Sequence, residues 1–189
     1  SLNLSTGSNN LALDWWANDA QPNGVEFIFR TSNTNNTQTI IRASGSADLW
    51  DLKIIPSGSS TTTGSLEFRL NTTANGAGLI SAHGGGVSNA VSMSTSYIND
   101  VNNFKYFNVM LQKNIVTSSY ALIQTYDMFV GRADSDKIKD IQHISMSSSN
   151  TIAGRNGNRN FMTSSAAQNS EGNNLFFGES ITGSIAEIR

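Results

Sequence analysis

NLFFGESITGSIAEIR, residues 174–189 at the C-terminal end of the sequence, indicates most directly how this chain folds. The apolar run 175–177 is followed by the turn-forming residues 178–180 and then by a segment that alternates with a period of two. Such alternation predicts a strand that is partly buried on both of its faces. We therefore expect two strands that are joined tightly. Ile181, Gly183, Ile185, Glu187 and Arg189 share one face of the second strand, and Thr182, Ser184, Ala186 and Ile188 share the other.

Short blocks with the same period recur through the rest of the chain. The clearest are SLEFRLN at 65–71 and FKYFNVMLQKN at 104–114. The segments 120–130 and 137–146 flank turn-forming residues at 131–135, and this pattern predicts a β-hairpin. Further strands are predicted at 11–17, 25–30, 38–43 and 49–55, whereas 72–103 shows no regular period and 147–174 is interpreted as a long surface excursion.

Length and composition place the chain in one broad class. With 189 residues, of which 38% are hydrophobic, it has the size of a single all-β domain spanning 1–189. The formal net charge is −2 and only 14% of the residues are charged. We therefore expect no nucleic-acid partner, which would require clustered Lys and Arg. The sequence contains no Cys, which excludes disulfides and Cys-based sites. It has no run of 18 apolar residues, so no membrane insertion is expected.

The start of the sequence and its polar residues suggest where the protein works. Position 1 is not Met, and we expect the chain to be a segment of a longer polypeptide or a processed product. Uncharged polar residues, mainly Ser, Thr and Asn, are common in extracellular and virion β-proteins, where they fill loops and the solvent faces of strands. We therefore predict a virion or extracellular location.

Four stretches resemble a known family. LDWWAND near the start is similar to the strand that opens laminin-G-like domains, and FKYFNVMLQKN resembles their central strand. Residues 120–146 resemble their pair of sheet-crossing strands. GSIAEIR resembles the last strand of concanavalin A-like jelly rolls, in which a glycine lets that strand cross close beneath its neighbour. The resemblance implies an all-β, antiparallel, two-sheet β-sandwich of the concanavalin A-like or laminin-G-like jelly-roll type. The phrases VMLQ and GSIAEIR look most like domains in large structural proteins of tailed bacteriophages.

This resemblance raises the question of catalysis. Glycanases with this jelly roll resemble one another in a Glu-x-Asp-x-x-Glu strand, because retaining hydrolysis needs two carboxylates about 5 Å apart. The present sequence has no such string. We interpret its strand carboxylates as solvent-facing and its two histidines, His83 and His143, as structural, and we predict that the protein is not an enzyme. The strand carboxylates are Glu26, Glu67, Asp127 and Glu187.

Calcium is the one cofactor that the resemblance suggests. Relatives of this fold often hold it at the rim of the sandwich through an Asp and loop carbonyls. Asp134 and Asp136, near the tip of the predicted hairpin, offer the carboxylate oxygens that calcium prefers. The alternative is that both are solvated turn residues, since Asp is common in turns. The protein is therefore expected to have either no cofactor or Ca²⁺ at these two residues.

Aromatic side chains are the candidates for ligand contact. Trp16, Trp50, Tyr106 and Tyr126 are suitable for stacking on sugar rings, as aromatics do in lectins of this fold. The alternative is that they belong to the core or to a protein interface. Alternation turns one of Trp15 and Trp16 inward, which leaves the other as the better candidate for an exposed contact.

Two functions remain open at this point. The first is a non-catalytic structural or adhesion module of a larger virion or cell-surface protein. Its expected partners are other virion or surface proteins, a second copy of the chain in a homo-oligomer, and surface glycans. The second is a calcium-assisted carbohydrate-binding module associated with a glycan hydrolase.

Overall fold

The computed structural model describes residues 2–5, 24–32, 34–44, 48–71, 90–117, 122–149 and 174–189. Regular structure within these ranges consists of β-strands, as the period-two blocks predict. The strand predicted at 11–17 and residues 150–173 of the predicted excursion lie outside the described residues. The strands are β1 (Leu2–Ser5), β2 (Gly24–Thr31), β3 (Gln38–Ser44), β4 (Asp48–Pro56), β5 (Gly64–Asn71), β6 (Ala90–Ser94), β7 (Tyr106–Thr117), β8 (Leu122–Asp134), β9 (Lys137–Ser149), β10 (Asn174–Phe177) and β11 (Gly183–Ala186).

The strands form two antiparallel sheets that pack together as a β-sandwich. One sheet has six strands in the order β1-β10-β3-β4-β5-β6, and the other has five in the order β11-β2-β7-β8-β9. This confirms the prediction of an all-β, antiparallel, two-sheet sandwich. The jelly-roll type implied by the resemblance stays a prediction.

Alternation within each strand explains how the core between the sheets forms. In β2, Val25, Phe27 and Phe29 are buried while the residues between them are half-buried. Rings from opposite sheets meet in the core: the Phe27 and Phe177 centroids lie 6.0 Å apart, edge to face. Burying a side chain of this size contributes about 1.5–3 kcal/mol, so the interleaved rings hold the layers together.

A small polar cluster lies between the sheets, which we call the buried amide cluster (Thr31, Gln38 and Asn102). Asn102 Oδ1 accepts a hydrogen bond from Gln38 Nε2 at 3.1 Å and lies 3.0 Å from Thr31 Oγ1. Gln38 Oε1 in turn accepts a hydrogen bond from the main-chain N of Thr182 at 2.9 Å. The cluster therefore joins β2, β3, the loop before β7 and the segment that leads into β11.

The C-terminal stretch contains two closely joined strands, as predicted, but they belong to different sheets. β10 lies between β1 and β3, whereas β11 is the edge strand beside β2. The expectation that the last strand is partly buried on both faces is wrong. In β11 only Ile185 is half-buried, because an edge position leaves the other residues in contact with solvent.

The predicted hairpin is present, but its turn lies further along the chain. β8 extends to Asp134, and Ser135 and Asp136 form the turn before β9 begins. Ser135 has a φ of 56°, within the left-handed region. Gly131, which the sequence placed at the start of the turn, pairs with Asn108 inside the sheet. The prediction of a turn at 131–135 was therefore about four residues early.

Candidate interaction surface

A bulge in β9 shapes an exposed apolar part of the described structure. Gln142 pairs with Val130 and Lys139 pairs with Arg132, so two residues of β9, Asp140 and Ile141, lie opposite the single residue Gly131. Asp140 adopts a φ of 53°, and Asp tolerates this left-handed conformation better than most residues. The extra residue shifts the alternation of side chains between the two faces of the sheet.

The bulge therefore turns Ile138 and Ile141 to the same side of the sheet. They would lie on opposite faces of a regular strand, because they are three residues apart. Here a Cβ built on Gly131 would overlap Cγ2 of Ile138 and lie 3.3 Å from Cγ1 of Ile141. Both side chains thus cover the glycine from outside. They remain 49% and 63% exposed.

These isoleucines belong to the outer face of the five-stranded sheet, the face turned away from the six-stranded sheet. Paired residues there form three adjacent rows across β2, β7 and β8. The central row lies between the other two, which we name the Glu26 row and the Arg30 row. The Glu26 row contains Glu26, Met110 and Phe129; the central row contains Ile28, Asn108 and Gly131; the Arg30 row contains Arg30, Tyr106 and Ala133.

In each of the two rows that flank the central row, an aromatic ring packs against a neighbouring side chain. In the Arg30 row, the Arg30 guanidinium lies 5.1 Å from the centre of the Tyr106 ring, and this ring is 45% exposed. Beside the Glu26 row, the imidazole of His143 stacks on Phe129 with a centroid separation of 4.4 Å and an interplanar angle of 6°. His143 Nε2 also lies 2.8 Å from Asp127 Oδ1. His143 is therefore held on the surface by a ring and a carboxylate, and its interpretation as structural stays a prediction.

The four aromatic residues proposed to contact a ligand do not form one surface. Tyr106 is exposed on the outer face, and its role in binding stays a prediction. Tyr126 points into the core, where its ring lies 6.1 Å from that of Phe68 and is 1% exposed. The expectation that Tyr126 stacks on a sugar ring is therefore corrected, because no ligand reaches it in the folded chain. Trp16 lies outside the described residues, and Trp50 is described only by its backbone position in β4.

The predicted calcium residues lie at the β8–β9 turn. Asp134 Oδ2 accepts a hydrogen bond from Lys139 Nζ at 2.7 Å, and this bond and the charge of Lys139 lower the pKa of Asp134 below its ordinary value. Asp136 is exposed in the turn. Within the described ranges, no three His, Cys, Asp or Glu side chains come together as a metal-binding group. The turn therefore fits a surface ion pair better than a calcium site, which needs six to eight oxygen ligands.

The carboxylates within strands are dispersed over the sandwich. On the outer face, Glu26 Oε1 accepts a hydrogen bond from Asn108 at 2.9 Å, while Asp127 is paired with His143. β7 separates Glu26 from Asp127, and the two are offset by two residues along the strands. From strand spacing and rise, their backbone positions lie roughly 12 Å apart. Each of the two carboxylates is engaged by a different neighbouring side chain.

The outer face of the six-stranded sheet carries a charged cluster. Sequence periodicity did not indicate it. Asp51 is only 2% exposed, and its Oδ2 lies 2.7 Å from Lys53 Nζ and 3.4 Å from Arg69 Nη2. Arg42 lies opposite Asp51 on β3. The long basic side chains cover the carboxylate, as Lys and Arg stems often do.

Comparisons with known proteins do not assign the chain to a family. No family model matches it, and a search of curated proteins finds no similar sequence. None of the described segments is a helix long and apolar enough to cross a membrane.

Proposed function

We propose that this chain is a non-catalytic structural or adhesion module of a larger virion or cell-surface protein, with a fold of the concanavalin A-like or laminin-G-like jelly-roll type. The exposed apolar outer face of the five-stranded sheet is the observation that carries the proposal. The solvated face of an antiparallel sheet is ordinarily polar. Contiguous exposed apolar side chains on a folded domain mark surfaces that contact other molecules.

Two further features support this proposal. The strand carboxylates Glu26 and Asp127 are engaged in a hydrogen bond and an ion pair on separate parts of the surface, an arrangement that favours a structural role. The chain is rich in uncharged Ser, Thr and Asn, as are many virion and extracellular β-proteins. The phrases VMLQ and GSIAEIR, which resemble structural proteins of tailed bacteriophages, favour a virion over a cell surface.

A calcium-assisted carbohydrate-binding module is the second candidate. The observation that favours it is the position of Tyr106, which lies opposite Ala133 and therefore at the same end of the sheet as Asp134 and Asp136. An exposed ring beside loop carboxylates would suit a sugar held partly through a metal ion. The ion pair between Asp134 and Lys139 argues against this candidate.

Immunogold electron microscopy with antibodies raised against the purified domain tests the main proposal. Labelling of assembled particles or of the cell surface in the organism that encodes the chain is the expected result. Labelling confined to the cell interior would refute a virion or surface role. Polysaccharide substrates should release no reducing sugar, and release that is lost in Glu26→Gln or Asp127→Asn would refute the non-catalytic part.

A glycan array probed with and without a chelator separates the two candidates. For the main proposal, any binding should be unaffected by the chelator. Binding that the chelator abolishes, and that Tyr106→Ala and Asp136→Asn weaken, would support the calcium-assisted module instead. Tyr97→Ala is the matched control, because Tyr97 is 64% exposed and lies outside the three rows of the outer face.

A further inference from the structure

The outer face of the five-stranded sheet carries opposite charges at its two ends. Glu26 stands in the row on one side of the central row, and Arg30 stands in the row on the other side. The Glu26 side chain is 37% exposed; its Oε1 accepts a hydrogen bond from Asn108 Nδ2 at 2.9 Å, and its Oε2 lies 4.0 Å from Nη1 of the exposed Arg189. Glu26 and Arg30 are four residues apart along β2, or roughly 13 Å, so they do not pair with each other.

This arrangement is complementary to itself under one particular rotation. A twofold axis that lies along the central row, perpendicular to the strands, would bring a second outer face onto the first with the strands reversed. The rotation exchanges the Glu26 row with the Arg30 row. Glu26 then lies opposite Arg30 of the partner subunit, and the same pair forms a second time by symmetry.

The sizes of the side chains fit the same rotation. Phe129 would lie over Ala133 of the partner subunit, so that a large ring meets a small side chain. The exposed Ile141, beside the central row, would meet Ile141 of the partner subunit near the axis. Rotation about an axis parallel to the strands would instead place Glu26 over Phe129 of the partner subunit, which would bury a carboxylate against a ring.

From this we infer that the outer face of the five-stranded sheet is the interface of a homodimer with its twofold axis along the central row. The inference deepens the proposed structural role, because it names a second copy of this chain as the partner. A C2 dimer in which two sheets pack face to face with nearly aligned strands is a common arrangement of β layers. Burial of Tyr106, Ile138 and Ile141 in this interface would account for their exposure in the single chain.

Sedimentation velocity over a concentration series tests whether the dimer forms. A species of twice the chain mass of 20.3 kDa is expected to appear as the concentration rises. Ile141→Asp should weaken association at least about tenfold, since it places a charge in a dry interface. Tyr97→Asp, which changes an exposed ring elsewhere, should leave association unchanged. Ile141 is 63% exposed, so its replacement is compatible with folding of the single chain.

A charge exchange tests the orientation of the two subunits. Glu26→Arg alone and Arg30→Glu alone each create two like-charge contacts in a homodimer, and both variants should be monomeric. Mixing the two variants should restore a dimer, because every contact between positions 26 and 30 is then between opposite charges. Circular dichroism of each variant verifies that it is folded before mixing.

The outcomes distinguish the inference from the proposed function. A chain that stays monomeric up to about 0.1 mM, or a dimer that survives Ile141→Asp, overturns the inferred interface. Mixed charge variants that fold but do not associate overturn the orientation. If a charge variant does not fold, the comparison of Ile141→Asp with Tyr97→Asp decides alone. The immunogold result does not depend on any of these, so the module role can hold while the dimer fails.

Discussion

Replacing Gly183 is expected to destabilise the domain through contact with the backbone of the neighbouring strand. Gly183 pairs with Thr31 at the start of β11. A Cβ at this position would overlap the carbonyl oxygen of Arg30 and lie 2.9 Å from both Arg30 C and Thr31 Cα. The obstructing atoms are main-chain atoms of β2, whose buried side chains hold it in place. The edge strand β11 must therefore move away.

The size of the effect follows from what β11 contributes. Forcing a methyl group into a filled space costs about 1–3 kcal/mol, and each main-chain hydrogen bond lost at this edge costs about 0.5–1.5 kcal/mol. One such bond, from Ser32 N to Thr182 O, measures 2.8 Å. We expect Gly183→Val to lower the free energy of unfolding by about 2–4 kcal/mol. For a chain of this length that corresponds to a decrease in Tm of about 5–15 °C.

Denaturant and thermal unfolding followed by circular dichroism measure this effect. Because the overlap begins at Cβ, Gly183→Ala should already show most of the loss. Ser184→Ala is the control: Ser184 is exposed, and its replacement should change stability by less than about 0.5 kcal/mol. An unchanged or raised midpoint for Gly183→Val would refute the reasoning. It would mean that the higher strand propensity of Val outweighs the close approach.

Three further predictions concern polar groups. Asn102→Ala leaves its partners in the buried amide cluster without an acceptor, so chemical denaturation should show a loss of about 2–4 kcal/mol, whereas Asn99→Ala on the surface should show little. Burial raises the pKa of Tyr126, so the folded chain keeps the phenol proton while the unfolded chain loses it near pH 10. The free energy of unfolding should therefore fall as pH rises above 10, and it should fall less steeply in Tyr126→Phe. Lys139 lowers the pKa of Asp134, so the ion pair between them stabilises the folded chain at neutral pH, and this stabilisation is lost as pH falls through the folded-state pKa. An NMR titration of Lys139→Ala should show a higher pKa for Asp134 than in the unaltered chain. An unchanged pKa would contradict the ion pair.

The alternation of apolar residues determined the class of fold and much of the core. In the block 65–71, the apolar residues Leu66 and Phe68 alternate with polar ones, and both are fully buried. In the block 104–114, Phe107 and Val109 lie two residues apart on one face of the strand and are at most 1% exposed. Alternation is a local property of a strand, so it can be recognised without knowing which strands are neighbours.

The assignment of strands to sheets depended on long-range packing. The turn-forming residues between β10 and β11 indicated a close connection, but the same residues suit a hairpin and a crossing between layers equally well. Gly178, with a φ of 66°, donates from its N to Ile40 O at 2.6 Å in the six-stranded sheet. The chain then crosses to β2, and the main-chain N of Thr182 donates a hydrogen bond to Gln38 of the buried amide cluster. The acceptors of these two hydrogen bonds, Ile40 and Gln38, lie more than 130 residues earlier in the sequence. A local sequence pattern therefore does not reveal them.

The candidate interaction surface was decided in the same way by tertiary structure. Ile138 and Ile141 are three residues apart, and strict alternation assigns them to opposite faces of β9. The bulge at Asp140 places both on the outer face, where they cover Gly131 of β8. The sequence by itself determined that this segment is a strand. Only the pairing of β9 with β8 decided that its isoleucines face outward together, because a bulge is defined by the partner strand that it lies opposite.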